Sequence, residues 1–132
     1  MVQIQTIVSL PFEENTYVVW QPPRSDALVI DPGLQPELIV EFLREQGLTV
    51  AAILNTHGHA DHIAGNAEMK AAYPDAPLLI GAGDEPMLSD ADLNLSAPFG
   101  MPVTSPRADQ LVREGEAVEF GGMRLEIGRA HV

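Results

Sequence analysis

The chain contains no cysteine. That excludes disulfides, thiolate metal ligands and a cysteine nucleophile. It is short of basic residues, with 7 Lys and Arg against 19 Asp and Glu, a formal net charge of −12. This balance argues against nucleic-acid binding, which leaves a basic footprint, and against docking on anionic membranes. Aromatic residues make up only 5%. No run approaches the roughly 18 apolar residues of a membrane span. The first eight residues, Met1 to Val8, lack a basic stretch and a long apolar core, so no signal peptide is expected. The lack of cysteine is compatible with a cytoplasmic location.

What is present suffices for a folded domain. The 132 residues match one domain in length, and 45% are hydrophobic, too many for a disordered chain. Gln3 to Val8 alternates polar and apolar residues, as a half-buried strand does. After the turn Pro11 to Asn15, Thr16 to Trp20 is β-branched and aromatic, a second strand. Ala27 to Ile30 is a buried strand that ends at the turn Asp31-Pro32-Gly33. Pro36 opens a helix through Leu38, Ile39, Phe42 and Leu43, and Gly47 stops it. Val50 to Leu54 is another buried strand, and Ile63 to Tyr73 reads as one helix. Leu78 to Ile80 is a short strand, and Gly83 to Leu88 a helical turn. Ser89 to Arg107, with Pro98, Pro102 and Pro106, is long and irregular: either a functional loop, as such lengths often are, or a structured surface connection. From Gln110 on, short strands turn at Glu114-Gly115-Glu116 and Gly121-Gly122.

Three of the four histidines fall in one window, His57-Gly58-His59-Ala60-Asp61-His62. Two apart at the end of a strand, His57 and His59 point the same way and can reach one ion. Asp61 and His62 follow where the chain turns into a helix, which aims them at a second ion. Gly58 permits a tight backbone path between ligands. Nitrogen and carboxylate donors without sulfur suit zinc, iron or manganese. A lone histidine is ordinarily structural; three with an aspartate at these offsets form a metal-binding pattern.

The stretch Thr56-His57-Gly58-His59-Ala60-Asp61-His62 resembles the metallo-β-lactamase-fold hydrolases. Val29-Ile30-Asp31-Pro32-Gly33, Ala64-Gly65-Asn66, Leu111 to Glu116 and Phe120 to Leu125 extend the resemblance over nearly the whole chain. Within the superfamily the chain is most similar to the glyoxalase II-like (hydroxyacylglutathione hydrolase-like) branch. The resemblance implies an α/β (α+β) fold: half of a four-layer αββα sandwich, a mixed sheet with helices on one face. It implies two divalent metal ions, zinc first, with His57 and His59 on one and Asp61 and His62 on the other. Asp61 is also the candidate catalytic residue. A metal-bound hydroxide would attack a small acyl or thioester substrate. Lactonase, β-lactamase and sulfur dioxygenase activities are the alternatives on this fold. A non-catalytic metal-binding fragment is a further one. Asp31-Pro32-Gly33 is read as a plain strand-ending turn, with a place for Asp31 beside the ligands as the alternative.

The family's later ligands, among them a histidine after Pro-Gly, are not in this sequence. His131 follows Arg129-Ala130 and is not counted as a ligand. Residues 127–132 read back, in one choice of codons, as ATC GGA AGA GCA CAC GTC, which resembles the start of a common short-read sequencing adapter; a genuine C-terminus that happens to spell this is the alternative. Residues 1–126 are therefore expected to be the N-terminal part of the domain, and 127–132 a non-native tail. The sheet face meant for the other half is expected to be apolar and exposed, which favours self-association.

Overall fold

The computed structural model describes residues 1–97, 100 and 102–128. Pro98 and His131 lie outside them. The chain folds as a mixed sheet of six strands in sequence order, with a separate two-stranded hairpin. The first strands, β1 (Gln3–Ser9), β2 (Glu14–Trp20) and β3 (Asp26–Ile30), are antiparallel neighbours. Then β3, β4 (Thr49–Asn55), β5 (Leu78–Gly81) and β6 (Gln110–Val112) run parallel. The hairpin is β7 (Ala117–Phe120) with β8 (Met123–Glu126).

The first crossover is α1 (Pro36–Gln46). Pro36 sits in its first turn, where a missing N–H costs nothing. Gly47 adopts φ 67°, the left-handed conformation that closes helices, and its N–H bonds the carbonyl of Arg44. Ile39 and Leu43, four apart on one stripe, are wholly buried. They join Val18, Val29, Ile53, Leu78 and Met69 in a core on one side of the sheet. Each such side chain contributes about 1.5–3 kcal/mol on burial.

The expected helix from Ile63 to Tyr73 is two helices, α2 (Ala60–Ile63) and α3 (Asn66–Ala72). Gly65 marks the break. Its N–H bonds Pro32's carbonyl, and a Cβ there would lie 2.7 Å from Gly33's carbonyl oxygen. Contact with the Asp31-Pro32-Gly33 turn thus overrides helical continuity. Residues Ala82–Leu88 form a 3-10 turn, as expected.

The helices α1 and α3 cover one face of the sheet, as the resemblance implied. The opposite face is not left bare. The hairpin lays Met123, Val118, Phe120 and Leu125 over Leu28, Ala52, Leu79 and Val112. Beyond its reach, Ile4, Val8 and Tyr17 are exposed on that same face. Among the described residues, no helix is long and apolar enough to cross a membrane.

Candidate metal centre

The parallel strands deliver the site residues to one end of the sheet. Asp31 follows β3, and Thr56 to His62 follow β4. Ligand sites on open parallel sheets gather at these carboxyl ends. Asp31 holds φ 56°. That region is sparsely populated by residues other than glycine, though Asp is among those enriched there.

This backbone turn aims a buried carboxylate at the histidine loop. Asp31 Oδ1 accepts the Thr56 N–H at 2.7 Å, and Oδ2 accepts the Thr56 hydroxyl at 2.5 Å. His62 Nδ1 lies 2.9 Å from the same Oδ2. Thr56 Oγ1 is in turn 2.9 Å from His57 Nδ1. The Thr56 hydroxyl has one proton, and it goes to Asp31. Its oxygen therefore accepts from His57, whose Nδ1 must carry hydrogen. His62 Nδ1 likewise donates to Asp31. One carboxylate so sets both tautomers and leaves each Nε2 with a free lone pair.

The free nitrogens lie among suitable neighbours. His62 Nε2 is 3.6 Å from Asp61 Oδ2. The His57 ring is centred 4.0 Å from that of His62 and 4.8 Å from that of His59. One donor atom each of Asp31, His57 and His62 lies within 4.8 Å of the others. Asp31's oxygens already accept three hydrogen bonds, so its fitted role is to orient the histidines rather than to face an ion. The plain-turn reading of Asp31 is corrected accordingly. Neutral imidazoles with bonded Nδ1 and free Nε2, beside a carboxylate, are donors that fit a divalent cation.

Charge follows the geometry. Burial, with the positive charge that His62 and His59 carry when protonated, outweighs Asp31 and Asp61 and lowers the pKa of His57. Burial also pulls on His62, but the hydrogen bond to Asp31 and the charges of Asp31, Asp61 and Glu14 prevail and raise it. Glu14 is buried in β2, with Oε1 3.6 Å from His62 Nδ1 and neither oxygen hydrogen-bonded. Burial first, then the charges of Asp31 and Asp61, push its pKa up to about 8 against the pull of His62.

A second network holds the loop's backbone. Asn55 Nδ2 donates to the His62 carbonyl at 3.1 Å and to Asn66 Oδ1 at 3.2 Å. Asn66 donates back to Asn55 Oδ1 at 2.8 Å and to Ser105 at 2.9 Å. Ser105 belongs to the stretch expected to be irregular, so that stretch braces the site. Sequence reasoning missed Glu14. Its signal was present: Glu14, Thr16 and Val18 share one face of an alternating strand, and that face is buried.

The model of the metallo-beta-lactamase superfamily matches residues 10–132. The chain belongs to that superfamily. It is 33% identical over 117 residues to the probable metallo-hydrolase YqgX of Bacillus subtilis, covering 88% of this chain and 54% of that protein. It is 35% identical over 140 residues to the hydroxyacylglutathione hydrolase of Tolumonas auensis, covering 97% of this chain and 53% of that protein. Among solved structures, the BLEG-1 B3 metallo-beta-lactamase superposes with a TM-score of 0.86 at 28% identity, over 92% of this chain and 58% of that one. TTHA1623 in a di-iron-bound form gives 0.75 at 30% identity, over 86% and 56%. The superfamily chain thus spans about half the length of these relatives. The assignment is to a family of hydrolases whose fold implies divalent metals.

Proposed function

We propose that this chain carries the first metal ligands of a hydrolase for small acyl compounds, with a hydroxyacylglutathione-type thioester as the leading substrate. The observation that carries the reading is Asp31. One buried carboxylate bonds His62 directly and His57 through Thr56, leaving both Nε2 atoms free, that of His62 3.6 Å from Asp61 Oδ2. The relationship to the Tolumonas auensis hydrolase supports the substrate class.

In this reading His57 and His59 hold one ion, and Asp61 and His62 hold a second. Zinc is the first choice, with iron or manganese compatible with the same donors. Such ions supply Lewis acidity and lower the pKa of a bound water. The chain's residues do the rest. Asp31 and Thr56 keep the imidazoles in the tautomer that presents Nε2. Asp61, whose side chain is 33% exposed, is the acidic group open to an entering acyl compound. The buried Asn55–Asn66 pair keeps the His62 backbone in register with β4.

The test combines activity with metal content. This chain, joined to the C-terminal segment of a relative, is expected to hydrolyse the thioester and to lose the activity in chelator or on His57→Ala. Turnover indifferent to both would overturn the proposed site. The di-iron form of TTHA1623 favours a second reading, an iron-dependent activity on the same fold. Metal analysis of the purified chain separates the two: iron rather than zinc selects the second. The adapter reading of residues 127–132 has its own test, since codons other than ATC GGA AGA GCA CAC GTC in the source DNA would refute it.

A further inference from the structure

The motif alternates ligands with the small residues Gly58 and Ala60, and the structure gives these two a partner of their own. Gly58 N–H donates to Asp84 Oδ2 at 3.0 Å. Ala60 N–H donates to the carbonyl of Asn94 at 2.9 Å. Both acceptors belong to the segment following β5, beginning with the 3-10 turn Ala82–Leu88. The approach is close: a Cβ on Gly58 would lie 2.5 Å from Met87 Cβ and 3.2 Å from the Asp84 carbonyl oxygen.

The acceptors are themselves held. Asn94 is wholly buried. Its Nδ2 donates to the carbonyls of Met87 at 2.9 Å and Val103 at 2.8 Å, and its Oδ1 accepts the Ser96 N–H at 3.0 Å. Its carbonyl is thereby aimed from several directions at once. Asp84 offers a carboxylate to a backbone N–H, a pairing roughly twice as strong as a neutral one.

His59 is where this matters. His57 is set by Thr56, and His62 by Asp31. Among the described residues the His59 ring has no hydrogen bond, only the edge of the His57 ring 4.8 Å away. With no hydrogen bond to set it, the ring's placement follows the backbone on either side, and both flanking residues are tied to the 84–94 segment. We propose that Asp84 is a positioning residue for His59, with Asn94 as the second anchor, doing through the backbone what Asp31 does for His62 through its ring. The proposal rests on the metal-site reading for its purpose and on metal-free geometry for its substance.

The experiment uses the full chain, Asp84→Ala, Asp84→Asn, and Co²⁺ alone as probe. In Asp84→Ala, the Gly58 amide is expected to exchange with solvent faster, and the His59 ring resonances to move in the metal-free protein. Co²⁺ affinity is expected to fall on the order of 10–100-fold, the usual cost of losing an outer partner. Its visible absorption band is expected to change. Asp84→Asn keeps an oxygen facing Gly58 and is expected to restore most of the affinity. A general loss of folding would not be rescued in this way. If the unaltered chain binds no Co²⁺, the metal-site reading fails. The metal-free His59 resonances then decide this proposal: movement in Asp84→Ala but not in Asp84→Asn supports it. Unmoved resonances overturn it, as does unchanged Co²⁺ affinity and spectrum in Asp84→Ala.

Discussion

Two acidic residues shape the centre in opposite ways. Asp31 is saturated with donors, whereas Glu14 has none. Removing Asp31 takes away the hydrogen bond and the charge that do most to raise His62, and leaves only Asp61 and Glu14 to oppose burial. In the chelated Asp31→Ala protein, the His62 pKa is therefore expected to drop, read by NMR titration of its ring. Affinity for a divalent metal at the proposed site is expected to fall about 10–100-fold. An unmoved His62 titration would exclude the proposed orientation. Glu14 reverses the usual carboxylate sign. Its pKa, raised by burial from about 4.5 to about 8, means the unfolded chain ionises first. Its share of stability is fully present below 4.5 and is lost as pH rises through the folded value near 8. Glu14→Gln stays neutral. In chelator it is expected to gain on the natural chain between roughly pH 5 and pH 8, measured by urea unfolding. Parallel pH profiles for the two proteins would contradict this.

Among the elements, a small ionic joint ties β5 to the approach of β6. Lys70 of α3 donates to the Ala76 carbonyl at 2.8 Å and to Asp109 Oδ2 at 2.9 Å. The same Oδ2 accepts the Leu78 N–H at 2.8 Å. Asp109→Ala is expected to cost about 1 kcal/mol, as the pair is partly exposed and screened. The hydrogen bond from Lys70, then that from Leu78, lowers the Asp109 pKa. Its contribution is present above the usual carboxylate range and disappears as pH falls through the folded value. The variant should therefore differ from the natural chain at neutral pH and converge with it in acid; a constant gap would refute the assignment. Such joints are hard to foresee. Strand periodicity places Leu78 and Leu111, but nothing in it pairs Lys70 with a residue 39 positions away. The split between α2 and α3 was hidden for the same reason. The sequence from Ile63 to Tyr73 is helical in pattern, and only the distant Pro32-Gly33 turn imposes the break. By contrast, α1 was legible to its ends, because Pro36 and Gly47 act locally. The histidine window stood out in the sequence because its residues are nearly consecutive, and the structure brings His57 and His62 of it together with Asp31. Asp31's role was not legible, because Thr56 and His62 reach it across the sheet.

For the whole molecule, the consequence lies in how the hairpin is attached. The β7–β8 pair is a sheet of its own, paired internally rather than as a further strand of the main sheet. Its tertiary hold is largely apolar contact with Leu28, Ala52, Leu79 and Val112. Central β4 is hydrogen-bonded on both sides. Stability in such a molecule comes in tiers. The amides of Val118 and Leu125 are expected to exchange through partial opening, and that of Ile53 only with global unfolding. Equal exchange free energies would show a single cooperative unit instead. If the tiers hold, warming first peels the hairpin away and bares a greasy sheet still in its native shape. The seed of precipitation is then a nearly native protein, and pinning the hairpin would prolong shelf life more than deepening the core.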